Sequence, residues 1–131
     1  MSNTPPVQPA VKPNNILVAE DSDTDFLLTR RKLIKIFSPE IIERACNRHE
    51  LCASLLTPRD LIVADLHLGD IEEMELIDVV LRAQPKTPVL VLTGTTQYAS
   101  IIAGTANIIA VINKGDLKKI EQFLEGWAHR D

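Results

Sequence analysis

The segment Leu61-Ile62-Val63-Ala64-Asp65 is a short, uninterrupted apolar run that ends in a carboxylate. Similar runs, rich in β-branched residues, lie at positions 16–19, 89–92 and 108–112, and a weaker candidate lies at 41–45. Apolar runs of this length without polar alternation are typical of strands that are buried on both faces, as in a parallel sheet. The chain is therefore predicted to contain five buried strands.

Helical patterns lie between the predicted strands. Apolar residues recur at helical spacing from Phe26 to Phe37, and Asp21-Ser22-Asp23 can cap that helix. Further helices are predicted at residues 50–56, 71–83 and 117–127, and a short one is expected between the fourth and fifth strands. Strands that alternate with helices predict a single α/β domain, a doubly wound (βα)5 fold with a five-stranded parallel sheet.

Composition divides the 131-residue chain into a tail and one domain. Four of the eight prolines lie within residues 1–14, where no periodicity is present. We therefore predict a flexible Pro-rich tail over residues 1–14 and a domain over residues 15–131. With 45% hydrophobic and 24% charged residues, the chain has the composition of a globular protein.

Charge and residue spacing argue against several classes of function. The net charge of −4 argues against direct nucleic-acid binding, which depends on neutralising phosphates. Cys46 and Cys52 form no CxxC pair and the three histidines lack metal-ligand spacing, so no zinc site is expected. No apolar run approaches the roughly 18 residues of a membrane helix, and no signal peptide is recognisable. We therefore expect a cytoplasmic protein without membrane insertion.

Polar side chains follow the predicted strands at the points where the strands end. They are Glu20 and Asp21 after the first strand, Asp65 after the third, Thr93 after the fourth and Lys114 after the fifth. The carboxyl ends of parallel strands meet at one edge of the sheet, where open α/β sheets bind their ligands. These side chains are therefore predicted to converge on one site.

The predicted site has the chemistry of phosphoryl transfer. Three nearby carboxylates repel one another unless a cation compensates, and oxygen ligands suit Mg²⁺. A carboxylate beside such an ion can attack phosphorus and form an aspartyl phosphate. Lys114 can neutralise phosphoryl oxygens, and the Thr93 hydroxyl can donate a hydrogen bond to one of them. Each Asp taken alone could be a helix cap, but the joint placement favours one site.

Four segments carry these residues: Ile16-Leu17-Val18-Ala19-Glu20-Asp21, Leu61-Ile62-Val63-Ala64-Asp65, Val91-Leu92-Thr93-Gly94 and Val111-Ile112-Asn113-Lys114. Together they resemble the receiver domain of bacterial two-component response regulators, over about residues 14–129. The resemblance implies a flavodoxin-like, CheY-like fold. It also implies that Asp65 accepts a phosphoryl group from a sensor histidine kinase or a histidine phosphotransfer protein.

The same resemblance implies roles for the other residues of the site. Asp21 and Asp65 would bind Mg²⁺ together with the backbone carbonyl of His67, and Glu20 would help through a water molecule. Thr93 and Lys114 would hold the phosphoryl group. Such a domain is a phosphoacceptor that assists its own phosphorylation and dephosphorylation rather than an enzyme. It would signal by contact with a downstream protein whose identity the sequence does not reveal.

Two positions depart from the usual pattern of that family. Val111 stands where many members carry a Tyr or Phe that rotates on phosphorylation, and Gly115 stands where a Pro usually follows the lysine. A cis peptide bond before Gly115 is therefore not expected, and a switch is expected in the loop from Gly94 to Tyr98. The departures keep a second hypothesis open, in which a pseudo-receiver acts as a phosphorylation-independent interaction module.

Two enzyme or cofactor hypotheses fit the sequence less well. A phosphatase with an aspartyl nucleophile needs a second Asp two residues after the first, and His67 occupies that position. A flavin-binding protein of this topology needs a phosphate-binding loop after the first strand, and none is present. Because no output domain follows Asp131, we expect a stand-alone receiver unless the chain is a fragment.

Overall fold

Five parallel strands form one sheet in the computed structural model, which describes residues 12–94, 102, 104–105 and 107–128. The strands are β1 (Asn15–Ala19), β2 (Ile41–Ala45), β3 (Leu61–Asp65), β4 (Val89–Thr93) and β5 (Ile108–Asn113). Every apolar run interpreted as a strand, including the weaker one, is confirmed. The spatial order β2-β1-β3-β4-β5 is that of a doubly wound, flavodoxin-like fold, as predicted.

The described residues include four helices, α1 (Asp23–Phe37), α2 (Arg48–Ser54), α3 (Glu73–Ala83) and α4 (Leu117–Ala128). Ser22 caps α1 by accepting a hydrogen bond from the amide of Asp25, and Asp116 accepts one from the amide of Lys119 at the start of α4. None of these helices is long and apolar enough to cross a membrane. Most of the predicted tail, of the short helix before β5 and of the loop to Tyr98 lies outside the described residues.

Both faces of the sheet are covered, which explains the uninterrupted apolar runs. Successive side chains of a strand point to opposite faces. In β1, Ile16 and Val18 therefore pack on the side of α1 and α4, whereas Leu17 and Ala19 pack on the side of α2 and α3.

A polar network surrounds the buried side chain of Arg59, just before β3. At its centre the guanidinium of Arg59 donates hydrogen bonds to the backbone oxygen of Ser54, to Asn15 Oδ1 and to Glu43 Oε1. Gln84 accepts a hydrogen bond from the amide of Arg59 and donates to two carbonyls of the loop between α2 and β3. We call these five residues the Arg59 network.

Candidate functional site

Residues at the ends of β1, β3, β4 and β5 meet at the carboxyl edge of the sheet. Glu20, Asp65 and Thr93 are buried there, with 2%, 1% and 4% of their surfaces exposed. Lys114 follows β5, and its ammonium group reaches back across the sheet to Asp65. The parallel pairing of β3 with β4 and of β4 with β5 brings these distant positions together.

The ammonium group of Lys114 lies among three carboxylates. Its Nζ is 2.5 Å from Asp65 Oδ2, 2.9 Å from Asp25 Oδ2 and 3.7 Å from Glu20 Oε2. Burial lowers the pKa of Lys114, but the hydrogen bonds to Asp65 and Asp25 outweigh it and raise the pKa above its ordinary value. Lys114 therefore remains positively charged at neutral pH.

Hydrogen bonds orient both oxygens of the Asp65 carboxylate. Oδ1 accepts a hydrogen bond from the backbone amide of His67 at 2.9 Å, and Oδ2 accepts one from Lys114. The imidazole of His67 is exposed. The two bonds fix the carboxylate plane, which is the arrangement that a positioned nucleophile requires.

Glu20 carries the clearest electrostatic perturbation of the site. Burial, followed by the hydrogen bond with Asp65 and the negative charge of Asp65, raises the pKa of Glu20 from 4.5 to about 7. At neutral pH Glu20 therefore carries a proton part of the time. The carboxyl edge holds more negative charge than Lys114 alone neutralises.

Asp25 belongs to this cluster, although the sequence analysis did not include it. Carboxylate oxygens of Glu20, Asp25 and Asp65 lie within 4.8 Å of one another, close enough for one cation to contact all three. Asp25 lies in the first turn of α1. The position of Asp25 in the sequence could have predicted this. A helix that follows a strand begins at the carboxyl edge of the sheet, so its first turn borders the site.

Asp21 lies on another side of the same edge. Its Oδ2 is 3.1 Å from the point that a Cβ on residue 69 would occupy. Gly69 has a φ of +78°, a conformation that favours glycine and lets the loop after β3 pass close to Asp21. Asp21 therefore lies beside the loop that carries His67, whereas Asp25 pairs with Lys114. The assignment of Asp21 as a metal ligand stays a prediction.

An open cavity of about 310 Å³ adjoins the cluster. Its lining residues are Leu66, His67, Glu73, Thr93, Gly94 and Lys114. The cavity thus contacts both residues that the sequence predicted to hold a phosphoryl group. It also contacts Glu73, the first residue of α3, which the sequence analysis did not assign to the site.

No protein-family model matches the chain, and no curated protein matches it significantly. Solved structures do match. A response regulator from Burkholderia pseudomallei, solved with a phosphorylated aspartic acid, a calcium ion and citrate, is 25% identical, with a TM-score of 0.67 over 88% of this chain and 68% of the other. The phosphorylated cyanobacterial phytochrome response regulator RcpA is 21% identical, with a TM-score of 0.68 over 87% of this chain and 93% of the other.

The chemotaxis response regulator CheY4 of Vibrio cholerae is 21% identical, with a TM-score of 0.60 over 83% of this chain and 96% of the other. The chain has the CheY-like fold of a receiver domain. This agrees with the resemblance inferred from the strand-end motifs, which likewise covers most of the chain.

The chain departs from the usual pattern of the family that it resembles where β5 leads into α4. The peptide bond between Lys114 and Gly115 is trans, as expected, and the amide of Gly115 donates a hydrogen bond to Asn113 Oδ1 at 2.8 Å. Val111 is half-buried and pairs with Val91 of β4. A β-branched side chain of this kind is stiff and has no ring to turn.

Proposed function

We propose that this receiver domain accepts a phosphoryl group on Asp65 from a sensor histidine kinase or a histidine phosphotransfer protein and signals by contact with a downstream protein. The environment of Asp65 carries the proposal. Its carboxylate is held between the His67 amide and the Lys114 ammonium group, next to an open cavity. The buried Asp65 carboxylate is thus oriented and paired with a cation, and its neighbours His67, Thr93 and Lys114 line the open cavity.

The transfer needs a nucleophile and charge stabilisation. An oxygen of Asp65 bonds to phosphorus while the P–N bond of the donor phosphohistidine breaks, and the electron pair stays on the imidazole nitrogen. Lys114 can neutralise one oxygen of the phosphoryl group, and the Thr93 hydroxyl can donate a hydrogen bond to another. Because the ionised carboxylate is itself the nucleophile, no general base is required.

The donor set at the carboxyl edge fits Mg²⁺. Carboxylate oxygens are the hard ligands that this ion prefers, and the single ammonium group of Lys114 lies among three carboxylates at this edge. We propose Glu20, Asp21 and Asp65 as ligands, with the backbone carbonyl of His67. When bound, Mg²⁺ would supply positive charge against the phosphoryl oxygens. The calcium ion and phosphorylated aspartic acid in the Burkholderia response regulator support this proposal.

Intact-protein mass spectrometry after incubation with acetyl phosphate and Mg²⁺ tests the proposal. The wild type should gain one acid-labile phosphoryl group, and Asp65→Asn should gain none. Asp78→Asn is the matched control, because Asp78 is an exposed carboxylate on α3 that pairs with Arg82, and it should gain the same mass as the wild type. The same gain in Asp65→Asn would assign the phosphate to another residue.

The stiff side chain of Val111 favours one alternative, a domain that binds its partner regardless of phosphorylation. Amide hydrogen exchange with and without beryllofluoride, a mimic of the phosphoryl group, separates the two functions. Altered exchange across residues 95–106 supports a switch. Changes confined to residues that contact Asp65 would favour the constitutive interaction module.

A further inference from the structure

Glu73 lies in the site but takes no part in the proposed phosphoryl transfer. It is the first residue of α3, and its side chain lines the same cavity as His67, Thr93 and Lys114. Its Oε2 is shielded from solvent and has no hydrogen-bond partner among the residues that the structure describes. A buried acceptor without a partner costs about 1–3 kcal/mol. Glu73 Oε2 therefore makes no hydrogen bond that would repay the cost of its burial.

Neighbouring glutamates of α3 have clear structural roles. Glu72 caps the helix by accepting a hydrogen bond from the amide of Glu75 at 3.1 Å. Glu75 forms a two-point ion pair with Arg48, with both N–O distances at 2.7 Å. Of these three glutamates, only Glu73 lines the cavity, and its position cannot be explained by capping or by an ion pair.

We propose that Glu73 is a catalytic residue for the hydrolysis of phosphorylated Asp65, where it holds the attacking water and accepts its proton. The inference rests on the proposed function, because its substrate is the phosphoaspartate. Thr93 and Lys114 mark the cavity wall at which the phosphoryl group would be held, and the cavity is open to water. Glu73 lines the same cavity as these two residues, so the attacking water would lie in that cavity between the Glu73 carboxylate and the phosphoryl group.

The reaction balances with water as the only co-reactant. The water oxygen bonds to phosphorus, and the bond between phosphorus and the Asp65 oxygen breaks with its electron pair left on the Asp65 carboxylate. Glu73 takes the proton from the water and releases it to solvent, so that the products are inorganic phosphate and free Asp65. A positioned general base accelerates such a step by roughly 10²- to 10⁴-fold.

The lifetime of the phosphorylated protein tests the inference. Wild type, Glu73→Gln and Glu72→Gln are phosphorylated with acetyl phosphate and Mg²⁺ and desalted, and the loss of phosphate is followed by intact mass. Glu73→Gln should keep its phosphate at least about tenfold longer, whereas Glu72→Gln should match the wild type. Both variants remove one negative charge at the start of α3, so the comparison isolates the position of the carboxylate.

Two further measurements distinguish catalysis from a structural effect. The wild type should lose phosphate more slowly in D2O than in H2O, and this difference should disappear in Glu73→Gln. If Glu73→Gln does not fold, as judged by its melting curve, Glu73→Asp keeps the charge on a shorter side chain and should show an intermediate lifetime.

Each remaining outcome contradicts the inference in a different way. Equal lifetimes in Glu73→Gln and the wild type overturn it while leaving Asp65 as the phosphoacceptor. Longer lifetimes in both Gln variants would assign the effect to the charge near the start of α3. That result would also overturn the role of Glu73 as a base. A wild type that takes up no phosphate overturns the proposed function, and the role of Glu73 with it.

Discussion

The two ends of the sheet bury charged groups in opposite ways. At the amino end, the Arg59 side chain is 1% exposed and has three hydrogen-bond acceptors, one of them the carboxylate of Glu43. At the carboxyl end, the single ammonium group of Lys114 lies near three carboxylates, and the pKa of Glu20 is raised to about 7. One end is electrostatically satisfied, and the other holds excess negative charge.

This difference separates a structural polar cluster from a functional one. Buried polar groups with every partner in place hold chain segments together, and the removal of one member leaves the others unpaired. Buried groups with too few partners lower stability but can bind a cation or a phosphoryl group. Substitutions at the two ends should therefore change stability in opposite directions.

Arg59→Ala should have the largest effect on stability. It leaves the oxygens of Asn15 and Ser54 unpaired in a buried place, so the free energy of unfolding should fall by about 3 kcal/mol. Urea denaturation measures the change. Arg82→Ala is the control, because its ion pair with Asp78 is exposed and should contribute less than about 0.5 kcal/mol. A loss below about 1 kcal/mol in Arg59→Ala would contradict the structural role of the Arg59 network.

Glu20→Gln should instead stabilise the metal-free protein, and only at higher pH. Because the pKa of Glu20 is raised from 4.5 to about 7 on folding, the folded state holds this proton more tightly than the unfolded state does. The contribution of Glu20 to the free energy of unfolding is fully present below pH 4.5 and is lost as the pH rises to about 7.

Urea denaturation in EDTA at pH 4.5 and pH 8 measures this difference. The advantage of Glu20→Gln over the wild type should grow with pH and reach on the order of 2 kcal/mol at pH 8. Glu40→Gln, an exposed glutamate between α1 and β2, should show no such growth. A difference that stays constant with pH would mean that Glu20 is ionised throughout.

Mg²⁺ should raise the melting temperature by a few degrees, equivalent to about 1 kcal/mol for a weakly bound ion. The rise should vanish in Asp21→Asn and persist in Asp25→Asn, because Asp25 pairs with Lys114. Differential scanning fluorimetry with and without Mg²⁺ measures both variants. The reverse result would place the ion among Glu20, Asp25 and Asp65, the three carboxylates that lie close together in the structure.

The strands could be predicted from the sequence because burial on both faces leaves a direct trace, an apolar run without alternation. Even the weak candidate is β2, although only one of its residues, Ala45, is fully buried. The convergence of Asp65, Thr93 and Lys114 followed from the same pattern, because parallel strands all direct their carboxyl ends to one edge. The end of α1 at Phe37 and the end of α3 at Ala83 were likewise predictable.

No comparable sequence pattern indicates the roles of Asp25, Glu73 and Arg59. An acidic residue in the first turn of a helix is ordinary, since it interacts favourably with the helix dipole, and an arginine in a loop is ordinarily exposed. Periodicity and strand-end chemistry were enough to establish the order of the elements and the class of site. Only the tertiary structure decided which carboxylates pair with Lys114, which carboxylate lacks a hydrogen-bond partner and which cation has all its hydrogen bonds satisfied. The reason is that desolvation and hydrogen bonding depend on distances between side chains that are remote along the chain.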